Sequence, residues 1–158
     1  MSVANADAFI AGFDAKYTYD YWRPVSAIRA ADSDGNAATI QDATWTPLIA
    51  TPNHQSYVSL HSSQSRAAAE ALAAFFGTDH VGFTATWAGV DRSFNKFTDA
   101  AKEAGKSRIF AGIHWSFDSA AGEQLGRKIG QYVSDHYFLP LPVSSGSMLR
   151  TMASRSGN

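Results

Sequence analysis

Phe9, Phe13 and Tyr17 recur at every fourth position, with Ile10 and Tyr21 beside them. That spacing predicts an amphipathic helix from about Ala4 to Trp22 whose aromatic stripe faces the core. Pro24 closes it, because the residue before a proline is pushed out of the α region. The polar run Asp32-Ser-Asp-Gly-Asn36, within Ala30 to Ala43, reads as a loop, and Thr46-Pro47 opens a short helical turn. Strand signals are weak throughout. An Ala-rich stretch, Ser65 to Phe76, predicts a second helix, with Ser59 as its N-cap and Gly77 as its left-handed stop. Residues 78–93 mix Gly, Thr, Asp and aromatics without a clear period. Phe94, Phe97, Ala101 and Ala104 predict a third helix that stops at Gly105. Ser107 then caps the longest pattern, in which Ile109, Ile113, Phe117, Ala121, Leu125, Ile129 and Tyr132 or Val133 follow near four-residue spacing to about Tyr137. Pro140 and Pro142 end it. The pattern predicts an all-α chain with one helical domain over residues 1–142 and a mobile Ser, Gly and Arg tail over residues 143–158.

Composition narrows the function classes. A length of 158 residues suits one domain with a real core. Thirteen Lys plus Arg against fourteen Asp plus Glu give a net charge of -1, so no global field draws the chain to nucleic acid or to a membrane. The absence of cysteine removes disulfides, thiolate metal sites and cysteine nucleophiles together. Met1 to Gly12 does not read as a signal peptide, and no apolar run approaches the roughly 18 residues of a membrane span. A soluble protein is the expectation, with its compartment open. Because Met1 falls almost at the start of the first helical pattern, a fragment of a longer protein is also an expectation. Such a fragment would form a homo-oligomer through an exposed apolar face.

Three constellations carry chemistry. Lys16 and Arg23 are seven apart, almost two helical turns, which would set both cations on one face about 10 Å apart, with Asp20 between them. Alone, they also fit ordinary surface cations. In Val58-Ser59-Leu60-His61, a capping serine precedes a histidine in the first helical turn, where unpaired N–H groups and the positive dipole end attract anions. In Ser107-Arg108-Ile-Phe-Ala-Gly-Ile-His114-Trp-Ser-Phe-Asp118, the histidine and the aspartate are at i and i+4. On a helix, the carboxylate would fix one ring nitrogen and leave the other free as nucleophile or ligand. Together these supply three cations, two helix N-termini and two histidines, the donor set of a tetrahedral oxyanion such as phosphate or vanadate. His54 and Trp115 lie near the motifs, and packing alone accounts for them.

The pattern Lys-x6-Arg-Pro, then Ser59-Leu60-His61, then Ser-Arg-x5-His-x3-Asp resembles the phosphatidic acid phosphatase type 2 superfamily, which includes vanadium-dependent haloperoxidases and bacterial acid phosphatases. The contexts around Arg23 and His114 look most like bacterial vanadium haloperoxidases, over roughly Ala8 to Phe138. The resemblance implies the C-terminal core of a helical bundle, truncated at its N-terminus. By it, Lys16, Arg23, Ser59, the Leu60 amide and Arg108 would bind vanadate, His114 would coordinate vanadium, Asp118 would orient His114, and His61 would serve as acid/base. The implied activity is a peroxidase in which peroxide bound to vanadate oxidises a halide to a hypohalous species. A phosphatase acting on small phosphate esters through a phosphohistidine, and an inactive fragment that still binds oxyanions, are the alternatives. The sequence departs from the family pattern at Leu60, where the family has Gly, and no carboxylate clearly stands behind His61.

Overall fold

Small residues, more than large ones, decide how these helices pack. The computed structural model describes residues 1–139. The predicted end at Pro140 and Pro142 and the tail over residues 143–158 lie outside them. Helix α1 (Ser2–Tyr19) buries Ala4, Ala8, Gly12 and Lys16. The predicted aromatic stripe is on the other side: Phe9, Ile10, Tyr17 and Tyr21 are exposed, and Phe13 is half-buried. The inversion follows from the helix separation. A Cβ at Gly12 would fall 2.4 Å from Leu60 Cδ2. Only small side chains fit such an approach, and Ala4 and Ala8 pack there with Ala67 and Val133.

The end of α1 also differs from the prediction. The helix stops at Tyr19, where Asp20 takes a left-handed conformation (φ 44°) and its N–H returns to the Lys16 carbonyl. Pro24 does not close α1. It occupies the first turn of α2 (Pro24–Arg29), where its missing N–H costs nothing. A 3-10 turn (Ala31–Ser33) leads into the long loop to Ser59. Thr46-Pro47 forms no helical turn; instead Leu48 N–H bonds the Ala111 carbonyl at 3.0 Å and ties this loop to the connection before α5.

Helix α3 (Leu60–Phe76) carries the predicted caps, Ser59 at its start and left-handed Gly77 (φ 69°) at its end. It is the central element and packs on α1, on α4 (Phe97–Phe110) and on α5 (Ser116–His136). Between α3 and α4 the structure adds an antiparallel hairpin, β1 (Phe83–Trp87) and β2 (Val90–Phe94), paired from Phe83 with Phe94 to Trp87 with Val90. Its turn residues Ala88 and Gly89 both have positive φ, as tight hairpin turns require. Helix α4 runs straight through Gly105 and Ser107, contrary to the predicted stop and cap. Gly105 is there because a Cβ would come within 2.7 Å of Ser62 Oγ on α3. The long helix predicted from Ser107 is two helices, broken at Gly112 (φ 74°). Across from α3, α5 presents Gly122, Gly126 and Gly130, all buried.

Candidate functional site

Lys16 ends the small-residue face of α1 and is fully buried. Its ammonium donates to three backbone carbonyls, Gln55 at 2.7 Å, Ser56 at 3.0 Å and Val58 at 2.7 Å. An ammonium has three N–H groups, so all are engaged. Lys16 thus fastens residues 55–58, the segment that delivers the N-terminus of α3. Burial and then the Arg23 charge lower its pKa to about 7, against the opposing pull of Asp118.

Arg23 is not on the helix of Lys16 but caps α2, where extended backbone turns its side chain inward. Its Nε donates to the His54 carbonyl at 2.8 Å and one Nη to the Ile113 carbonyl at 2.7 Å. The same Nη meets His114 Nε2 at 2.9 Å, and the other meets His54 Nδ1 at 3.0 Å. A guanidinium cannot accept, so His114 Nε2 is the acceptor. Burial lowers the Arg23 pKa to about 10, with Asp118 opposing, and the group stays charged at neutral pH.

The tautomer of His114 follows. With Nε2 accepting, Nδ1 carries the proton and donates to Asp118 Oδ2 at 2.9 Å. The pair predicted from spacing is therefore real, but not on one helical face. His114 lies in the connection after Gly112, while Asp118 is in the first turn of α5, where its Oδ2 also accepts the Trp115 N–H at 3.1 Å. Ser56, which the sequence reading missed, donates its hydroxyl to the same oxygen at 2.5 Å. Burial outweighs the carboxylate and lowers the His114 pKa to about 4, so the ring is neutral at pH 7.

Ser59 is buried, and its Oγ accepts the Ser62 N–H at 3.4 Å. Its own hydroxyl hydrogen and the Leu60 and His61 amides have no acceptor among the described residues. The Leu60 side chain turns toward Gly12 of α1, so it does not displace the amide it carries. His61 is exposed, with no ring hydrogen bond among the described residues; partial burial and then the Arg108 and Arg23 charges lower its pKa. Arg108 is in the last turn of α4, not at a helix start, and its Nε donates to Ser107 Oγ at 3.0 Å. A pocket of about 760 Å³ opens beside Arg23 and His54 and is not lined by His61, Arg108 or His114. No helix among the described residues is long and apolar enough to cross a membrane.

A family model described as the VCPO second helical-bundle domain matches residues 1–140. The solved structure of the first bacterial vanadium-dependent iodoperoxidase is similar at a TM-score of 0.75 and 36% identity, over 85% of this chain and 31% of that one. A holo-type bacterial vanadium-dependent chloroperoxidase gives a TM-score of 0.69 at 22% identity, over 84% of this chain and 33% of that one. Its apo-type counterpart gives 0.67 at 22%, over 82% and 33%. At that identity the chloroperoxidases speak to the fold alone. The chain spans about a third of the length of these structures. No curated protein matches it.

Proposed function

The chain belongs to the vanadium haloperoxidase superfamily, and from that premise we propose that it carries the vanadate-binding core of a vanadium-dependent haloperoxidase. The observation that carries this reading is the neutral His114, whose Nδ1–H is held by Asp118 and whose Nε2 lone pair faces the Arg23 guanidinium. The donor set fits a tetrahedral oxyanion. Arg23 and Arg108 supply delocalised positive charge and planar N–H groups. The N-terminus of α3 adds unpaired amides at Leu60 and His61 and the Ser59 hydroxyl, in a region of positive dipole.

Within that reading each residue has a task. Arg23, Arg108, Ser59 and the Leu60 amide would hold the oxyanion's oxygens. His114 would offer its Nε2 lone pair, which now accepts from Arg23 Nη, as a ligand of vanadium. Asp118 and Ser56 keep that lone pair available by fixing the opposite nitrogen. Lys16 has no N–H to spare, so it contributes charge and holds the segment before α3. His61, neutral and open to solvent, would serve as the acid/base that holds or releases a proton at its ring nitrogen. Bound vanadate supplies a Lewis-acidic centre that activates hydrogen peroxide for two-electron oxidation of a halide.

The test adds orthovanadate and hydrogen peroxide to the full chain, with iodide or bromide, and follows halogenation of a diketone. Vanadate binding is measured in parallel by calorimetry. Saturable binding and turnover, both lost in His114→Ala, are expected. Hydrolysis of a chromogenic phosphate ester, suppressed by vanadate and without halogenation, would move the assignment to a phosphatase. Binding without either activity would restrict it to an oxyanion-binding core, and absence of binding would overturn it.

A further inference from the structure

Outside the oxyanion residues lies a pocket walled by aromatic rings and edged by carboxylates. Tyr21, Trp22, Trp115 and Phe117 line a space of about 460 Å³ together with Asp20 and Asp34. Tyr21 stands edge-on to Phe117, with centroids 5.2 Å apart and planes at 76°, and Trp115 lies nearly parallel to Phe117 at 6.3 Å and 11°. The walls are fixed as well as close. The Trp115 indole N–H donates to the Trp22 carbonyl at 3.0 Å, pinning one ring across 93 residues of chain.

The charge around these rings has one sign. Asp20 is set by its left-handed cap at the end of α1, and its carboxylate forms no hydrogen bond or ion pair among the described residues. Asp34 is oriented by the Asn36 N–H at 2.7 Å and the Thr39 hydroxyl at 2.8 Å. Among the described residues no Lys or Arg lines the pocket. Aromatic faces are themselves electron-rich, so rings and carboxylates together favour a positive charge carried on an apolar body. A halide is repelled by both. A small inorganic cation finds too few oxygen ligands. A second pocket of about 330 Å³, lined by Tyr19, Tyr21, Tyr57 and Phe117, shares two of the rings and leaves room for an apolar extension.

We propose that this aromatic pocket binds an organic cation of the quaternary or alkylated ammonium class, held by cation–π contact with Tyr21, Trp22, Trp115 and Phe117 and by the Asp20 and Asp34 carboxylates. The site does not depend on the vanadate reading, and its test contains no vanadate. The full chain is titrated with choline and, separately, with its uncharged isostere 3,3-dimethylbutan-1-ol, following tryptophan fluorescence and the indole N–H resonances. Saturable choline binding at least about tenfold tighter than the isostere is expected from the summed cation–π contacts. Asp20→Asn and Phe117→Leu should each weaken choline binding several-fold. Asparagine tolerates the left-handed conformation at position 20, so that variant removes charge without refolding the cap. Equal affinity for choline and the isostere would mark the pocket as an apolar docking face and overturn the proposal. Absence of saturation by choline, or unchanged binding in both variants, would overturn it too.

Discussion

Replacing Gly126 by alanine should destabilise the chain, although alanine is the better helix former. On propensity alone, Gly→Ala within α5 gains about 1 kcal/mol. The contact with α3 opposes this, because the added Cβ would fall 2.1 Å from the Ser63 carbonyl oxygen, 2.8 Å from its carbonyl carbon and 2.9 Å from Arg66 Cβ. Two of these three are backbone atoms of α3 and cannot swing aside, so the helices must separate by roughly an ångström along their contact. Overpacking of this kind costs about 1–3 kcal/mol and sometimes more. A backbone clash belongs at the upper end, giving a net loss of about 2 kcal/mol and a melting temperature lower by about 4–8 °C. Denaturant titration should show a lower midpoint with an unchanged slope. Gly12→Ala is the internal comparison, because its Cβ meets Leu60 Cδ2 at 2.4 Å, the mobile end of a side chain. It should cost clearly less than Gly126→Ala. A Gly126→Ala protein more stable than the parent would refute the close-packing argument.

Three further outcomes follow from the buried charges. Lys16→Met strands two buried carbonyls, Ser56 and Val58, and the part-buried one of Gln55, each buried one costing about 1–3 kcal/mol, so stability should fall by about 2 kcal/mol or more; a loss under about 1 kcal/mol in thermal unfolding would contradict the strut role. His114 has a folded pKa of about 4 against an ordinary 6.5, so the fold prefers the neutral ring. Stability from this group is complete above pH 6.5 and drains away as pH falls from 6.5 toward 4, by about 3 kcal/mol in all. Stability curves of the parent and His114→Gln should converge over that range, and parallel curves would show that His114 does not titrate so low. Lys16, at about 7, is largely neutral at pH 8, and a nearby anion raises its pKa. Binding of sulfate, which does not titrate in this range, should therefore take up close to one proton at pH 8 and almost none at pH 6, as read by calorimetry in buffers of different ionisation enthalpy; equal uptake at both would rule out a Lys16 pKa near 7.

What could be read from the sequence was local. Ser59 and Gly77 are caps because their own side chain, or lack of one, answers the neighbouring backbone, and both act as read. The partnership of His114 with Asp118 was legible too, though a break at Gly112 and a helix start at Trp115 bring the two side chains together rather than one continuous helix. Features set by the distance between helices were not legible. The aromatic stripe of α1 looked like a core face because bulk usually marks burial, whereas here the close approach at Gly12 excludes bulk and admits Ala4 and Ala8. The hairpin gave no alternation because both its faces are largely exposed. Ser56 and the carbonyls of residues 55–58 gave no signal, since their partners lie 39 or more residues away.

The same long-range contacts support the proposed binding of an oxyanion. Lys16 and Arg23 are both buried, Asp118 is the carboxylate whose charge acts on both, and His114 is held neutral. With Lys16 protonated, below its pKa of about 7, two cations against one carboxylate leave one uncompensated positive charge in a region that penalises charge. Carbonyl dipoles of His54, Gln55, Ser56, Val58 and Ile113 stabilise that excess without cancelling it. A carboxylate in their place would have neutralised the site and removed its attraction for an oxyanion. Asp118 is kept from that role by geometry, because three donors converge on its Oδ2 while Oδ1 has no partner among the described residues. The carboxylate is thus committed to orienting the imidazole, and the remaining positive charge is left for a ligand that the fold itself does not provide.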